Sequence, residues 1–233
     1  MSFNGCEMAK DFSDEIKIKA LLWCNRHCCL CGKACGTDIE IAHIVPKGKG
    51  GTTDIDNAIP LCYNCHSEIG KYNKEHPRGN KYRPEELRAR REQIYEEQTR
   101  HLVPPISYGV TQRLPGGSKR QFPDVGFHLS HYGDSLPVKV KVILDILLAG
   151  RSLGNPDAEY YGGGKLWHLN PRSGHMGHFK IPQEAVDRKT ERLDVKASVT
   201  IIDQYGREHK LLPVGWVYMR KENDWYFEPS EPE

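Results

Sequence analysis

The sequence predicts an α+β protein in two parts: a cysteine-rich N-terminal domain built from two strands and a helix with flanking helices, and a C-terminal antiparallel β-sandwich-like domain. Two observations carry this. All eight cysteines, Cys6, Cys24, Cys28, Cys29, Cys31, Cys35, Cys62 and Cys65, fall before residue 66 and none follows. Beyond residue 124 apolar and polar residues alternate between clusters of Gly, Pro, Asn and Asp, the patterning of strands and turns. With 233 residues, the chain is long enough for two modest cores, since a chain of this size hides roughly 70% of its extended surface. We place the domains at 1–103 and 125–233, with a linker over 104–124.

Residues 13–27 open with Ser13 as an N-cap and acids in the first turn, then space Ile16, Ala20, Leu21 and Cys24 as one helical face. CCLCGKACGTD is too rich in Cys and Gly for regular structure. IEIAHIVP reads as a short strand closed by Pro46, KGKGGTTDIDN as a polar glycine-rich loop, AIPLC as a second strand and YNCHSEIGKYNK as the opening of a helix. A further helix is predicted over 84–101, with Pro84 at its first position, Glu85 and Glu86 in its first turn and Leu87, Ile94 and Tyr95 holding it down. The Pro- and Gly-dense stretch 103–124 reads as the linker. After it, Val138, Val140 and Val142 alternate with lysines, Val195, Ala197, Val199 and Ile201 alternate again, and LLPVGWVYM and DWYFEP supply aromatic strands.

Composition excludes several classes. No apolar run approaches the roughly 18 residues of a membrane-spanning helix, and the first fifteen residues lack the basic start and apolar stretch of a secretory signal, so a cytoplasmic location is expected. Lys and Arg total 33 against 31 Asp and Glu, a net charge of +2, so whole-chain charge does not point to an anionic partner and local charge has to be read instead.

The strongest chemical signal is Cys28-x-x-Cys31 followed, after 30 residues, by Cys62-x-x-Cys65. Thiolates two residues apart on a tight turn converge on one ion, and two such turns supply the four soft ligands that tetrahedral Zn²⁺ prefers. Such a site has no open position, so the ion staples the fold and does no chemistry. Cys24, Cys29 and Cys35 lie close enough in sequence that Cys29 could substitute for Cys28.

Between and after these pairs stand His43, Asn57 and His66. With CCLCGK and EIAHIVPKGKGGTTDIDNAIPLCYNCH, the segment of about residues 20–75 resembles the HNH endonucleases of the ββα-metal (His-Me finger) superfamily. The resemblance implies a metal-dependent endonuclease that hydrolyses phosphodiester bonds and leaves a 5′-phosphate and a 3′-hydroxyl. It implies that His43 is the general base for water, that Asn57 anchors the loop and orients that base, and that His66 holds a catalytic Mg²⁺ or Mn²⁺. The chemistry agrees: cutting a phosphodiester needs a base near neutral pH and positive charge where negative charge builds up. Lys47 and Lys49 in the intervening loop place charge where phosphates would pass.

One position departs from the pattern. The family most often has Asp immediately before the base histidine, as a carboxylate ligand of the catalytic metal, where this chain has Ala42. On a regular strand Glu40 shares a face with position 42 at about 7 Å, which makes Glu40 the candidate substitute ligand, ahead of Asp54 and Asp56. Downstream, Lys71, Lys74, Arg78, Lys81 and Arg83 face only Glu75, a local net charge of +4, and are candidate phosphate contacts.

The C-terminal domain matches no enzyme signature. Its histidines, His128, His131, His168, His175, His178 and His209, have no thiolate or carboxylate at ligand spacing and read as turn or surface residues. DNA is the expected substrate, with RNA as the alternative, and restriction or antiphage defence a possible setting. Two other readings stay open: a zinc-dependent nucleic-acid-binding protein without cleavage, and a nuclease effector gated by ligand or partner binding at the C-terminal domain, the domain through which a homodimer or a regulatory partner would be held.

Overall fold

A computed structural model describes residues 11–70, 82–113, 124–153, 158–159, 166–179, 191–221 and 224–229. The chain divides into two compact units, Met1–His101 and Leu102–Glu233. Among the described residues no helix is long and apolar enough to cross a membrane.

In the first unit α1 spans Asp14–Trp23, capped by Ser13, whose hydroxyl accepts from the Ile16 amide at 3.4 Å. The helix stops short of the expected residue 27 because Asn25 and Arg26 take positive φ (46° and 54°), turning the chain into the cysteine loop. Strands β1 (Ile39–His43) and β2 (Ala58–Cys62) pair antiparallel, with Glu40 opposite Leu61 and His43 opposite Ala58. Helix α2 (Tyr63–Gly70) follows β2 without an intervening loop. Helix α3 (Pro84–Thr99) starts on Pro84, whose missing N–H costs nothing at a helix start.

The core of this unit gathers Cys24, Cys28, Cys29, Ala42, Ile44, Ile59, Leu61, Leu87 and Tyr95. Leu87 and Tyr95 anchor α3 as expected. Arg91 is buried beside them. Its Nη1 donates to the carbonyls of Ile55, Asp56 and Ala58 at 2.8–3.1 Å. A guanidinium has five donors and no acceptor, so it suits a point where three carbonyls converge as the loop enters β2.

The second unit contains β3 (Ile106–Arg113), β4 (Asp124–His131), β5 (Val138–Leu148), β6 (Arg151–Ser152), β7 (Ala158–Glu159), β8 (Leu166–Leu169), β9 (Gly174–Phe179), β10 (Arg192–Ile202), β11 (Glu208–Lys210), β12 (Val214–Lys221) and β13 (Asp224–Pro229). One antiparallel sheet runs β13-β12-β10-β5-β6, with β11 on β10 and β8 on β5; the other runs β3-β4-β9-β7. Val140, Leu144 and Ile146 of the first share a core with Val110, Phe127 and Leu129 of the second, around Trp167. This is the sandwich predicted from alternation: β5 buries every second residue from Val138 to Leu144.

Two expectations change. Residues 106–113, expected in the linker, form β3, paired along its length with β4; the prolines at 104 and 105 mark its entry and hide the alternation of Ile106, Tyr108 and Val110. His131 and His209, read as turn or surface residues, are 1% and 5% exposed. His209 meets the Asp203 carboxylate at 2.9 Å, and Asp203 also accepts from the Tyr205 and Arg207 amides. The pair thus closes the β10–β11 turn.

Candidate active site and structural metal centre

The sulfurs of Cys28, Cys31, Cys62 and Cys65 lie within 4.8 Å of one another. The first pair sits on a tight turn in which the Gly32 amide reaches the Cys28 carbonyl at 2.9 Å; the second spans the junction of β2 and α2. Burial pushes the Cys31 thiol up, and burial together with the neighbouring Cys62 and Cys31 sulfurs pushes Cys65 far up. Four thiolates this close repel one another unless a cation lies among them. The donor set therefore fits a soft tetrahedral ion such as zinc, with these four residues as its holders.

Among the described residues the remaining thiols, those of Cys24, Cys29 and Cys35, have other places; Cys6 lies outside them. Cys24 and Cys29 are fully buried, with Cys24 Sγ donating to the Leu21 carbonyl at 3.5 Å and Cys29 Sγ to the His27 carbonyl at 4.0 Å. The neighbouring Cys24 sulfur together with burial drives the Cys29 thiol far up. Cys29 is held by its amide on the Pro60 carbonyl at 2.9 Å. Cys35 turns its sulfur to the Lys33 carbonyl at 3.1 Å.

Asn57 is 4% exposed and closes the loop between the strands. Its Nδ2 donates to the carbonyls of Val45 (3.0 Å) and Thr52 (2.8 Å), and its Oδ1 accepts from the Val45 amide at 2.8 Å. Its backbone carbonyl accepts from the Ile44 amide at 2.9 Å. One side chain thus ties both ends of the loop directly beyond His43. Gly51 makes the closure possible: a Cβ there would stand 1.7 Å from the Val45 carbonyl oxygen and 2.9 Å from Asn57 Nδ2. Asp54 caps the short turn before Asn57, accepting from the Asp56 and Asn57 amides at 3.0 and 3.2 Å, so its carboxylate is already engaged. Asp56 is exposed in the same turn.

His43, at the end of β1, stacks on buried Phe12 with ring centroids 4.1 Å apart and planes at 23°. Its Nε2 is shut from solvent with no hydrogen-bond partner among the described residues, which leaves Nδ1 as the nitrogen able to exchange protons. Burial, then the Lys47 charge, lower the His43 pKa below 6.5, while Asp11 works in the opposite direction. Asp11 pairs with Lys17 at 3.0 Å and lies 4.0 Å from Lys47. Phe12 lies outside the motif and carries no signal in the sequence that would place it under the imidazole.

His66, in the first turn of α2, lines the same cleft as His43, together with Lys47, Lys49 and Arg83. Arg83 stands exposed at the cap of α3. Glu40 meets His66, with Oε2 2.6 Å from Nδ1. Ala42, two residues along the same strand face, is 3% exposed and part of the core. The candidate phosphate contacts Lys71, Lys74, Arg78 and Lys81 lie outside the described residues.

No curated protein matches the chain. Cys28, the paired strands, Asn57 and His66 all fall within residues 28–71, and that segment matches the family model described as HNH endonuclease.

Proposed function

We propose that the protein is a metal-dependent endonuclease hydrolysing phosphodiester bonds in DNA, with the N-terminal unit as its nuclease domain and the second unit, Leu102–Glu233, as an accessory module. The observation that carries this reading is the cleft shared by His43 and His66, two imidazoles from different elements, with the lysines of the Asn57-tied loop beside them. His43 takes the proton of the attacking water through Nδ1. Its lowered pKa keeps it neutral, and so able to accept a proton, at pH 7. Phe12 packs against the ring and fixes its plane, while Asn57 fixes the backbone that follows it. Lys47, Lys49 and Arg83 draw the phosphate backbone into the cleft, an attraction that weakens as salt rises. His66, with Glu40 at its side, is the protein's holder for a Mg²⁺ or Mn²⁺ ion, which when bound supplies positive charge to the phosphate and the departing 3′-oxygen. Zinc on the four cysteines stays structural.

Incubating the protein with supercoiled plasmid in Mg²⁺ or Mn²⁺ tests this. Nicking that disappears in His43→Ala supports the enzyme. One observation favours a second reading, a zinc-dependent nucleic-acid-binding protein without cleavage: the buried Ala42 stands where the family most often carries a metal-binding aspartate. Plasmid that is retarded but intact with both proteins supports that reading. Comparing the full chain with Mg²⁺ alone and with added cell extract separates a constitutive nuclease from one gated through the second unit.

A further inference from the structure

We propose that Glu40 is a positioning residue for His66: its carboxylate accepts the Nδ1 proton and so turns the Nε2 lone pair toward the catalytic ion, and Glu40 does not itself ligate that ion. This rests on the reading of His66 as the ion's holder given above.

The hairpin register brings the two side chains together. Glu40 lies opposite Leu61, β2 ends one residue later, and α2 starts at once, so the first turn of the helix folds back over the strand at Glu40. The two flanking cysteines of that turn, Cys62 and Cys65, belong to the sulfur cluster. The cluster therefore fixes the backbone of His66, but a ring on a fixed backbone can still rotate about χ1 and χ2. The 2.6 Å contact between Glu40 Oε2 and His66 Nδ1 supplies what is missing. It also chooses the tautomer, because the nitrogen facing a carboxylate carries the proton and the other is left as the donor to a metal.

Magnitudes argue against a stabilising purpose. The side chains of His66 and Glu40 are 42% and 46% exposed, and pairs so open to water contribute about 0–1 kcal/mol. A histidine that binds metal, by contrast, commonly loses 10–100-fold in metal affinity when the carboxylate behind it is removed. Distance argues the same way against direct ligation: Ala42, the position that carries the ligand aspartate in the family, is sealed in the core, and Glu40 stands about 7 Å up the strand from it, with one oxygen already on the imidazole.

The test uses the zinc-loaded full chain in Glu40→Gln and Glu40→Ala forms, checked for unchanged zinc content. The first readout is the His66 tautomer, from long-range ¹⁵N–¹H correlation at pH 8 without added divalent ion; the second is Mn²⁺ affinity by electron paramagnetic resonance. A glutamine can still accept from Nδ1 but offers no anionic ligand. We expect Nδ1–H in the unsubstituted protein and in Glu40→Gln, its loss in Glu40→Ala, and Mn²⁺ affinity about 10–100-fold lower in Glu40→Ala with most of it kept in Glu40→Gln. An unchanged tautomer in all three, or a loss of Mn²⁺ affinity in Glu40→Gln as large as in Glu40→Ala, overturns the proposal. Because the tautomer is read without ion or substrate, its outcome stands apart from the nuclease reading. A protein that shows the tautomer switch but never cuts keeps the positioning role and loses the enzyme; one that cuts with no switch does the reverse.

Discussion

Replacing Asn57 by alanine removes the three side-chain hydrogen bonds that tie Val45 and Thr52 across the loop. Each is worth about 1 kcal/mol net, and a buried partner left unsatisfied raises the loss further. Asn57 is buried but the loop carbonyls sit near the surface, where water replaces part of what is lost, so we work with about 3 kcal/mol in total. Native-state hydrogen exchange reads this locally: the Val45 amide, which donates to Oδ1, should lose protection by about two decades, since about 1.4 kcal/mol corresponds to tenfold. Asn57→Asp is the sharper variant. It keeps the size of the side chain and the acceptor for Val45, but turns a carboxylate oxygen toward the Val45 and Thr52 carbonyls, so at pH 7 it should lose at least as much as alanine. An aspartate variant with unchanged Val45 protection refutes the loop tie, and with it the claim that Asn57 positions the segment after His43.

Gly51→Ala should reproduce the Asn57→Ala loss at about 1–3 kcal/mol, the usual cost of forcing an atom into a filled space, and the two substitutions should not add when combined, because both break the same closure; additive urea-unfolding energies would contradict this. Removing the structural ion, by chelation or by Cys62→Ser, should unfold the first unit, since zinc bound to four thiolates contributes on the order of 10 kcal/mol; circular dichroism and zinc content measured together check it, and a fully folded zinc-free protein would be the contrary result. Cleavage should depend on His43 being unprotonated. Its folded-state pKa lies below 6.5, so activity should rise with pH through a limb below that value and be level above it. Asp11→Asn should move the limb to lower pH, because Asp11 is the group that raises the His43 pKa; a limb at or above 6.5, or one that moves upward, contradicts the assignment.

The parts of the site that local chemistry dictates were legible in the sequence. Paired cysteines at tight-turn spacing need no tertiary information to announce a metal centre, and the two short strands around a glycine-rich loop follow from β-branched residues and turn residues alone. Asn57 was singled out only through the resemblance, and in the fold its side chain hydrogen-bonds to Val45 and Thr52. Contacts made across the fold were not legible. Phe12 reaches His43 from a segment with no pattern of its own, and Arg91 looks like any other charge on a polar helix until three carbonyls converge on it. Glu40 was singled out because it shares a strand face with Ala42, but its contact with His66 depends on where α2 begins after β2, a matter of hairpin register. In the second unit, β3 was hidden by the prolines that introduce it, while the long alternating strands β5 and β10 could be read directly.

In the proposed reading His43 and His66 act on one phosphodiester as a unit. Single-turnover nicking of plasmid in Mn²⁺ by His43→Ala, His66→Ala and the double variant measures whether they do. We predict that each single substitution lowers the rate by about 10²–10⁴-fold, the range for loss of a proton-transfer group, and that the double variant is little worse than the poorer single one, as for residues that work together. Losses that simply multiply in the double variant, or a single variant that cuts at the unsubstituted rate, would contradict it.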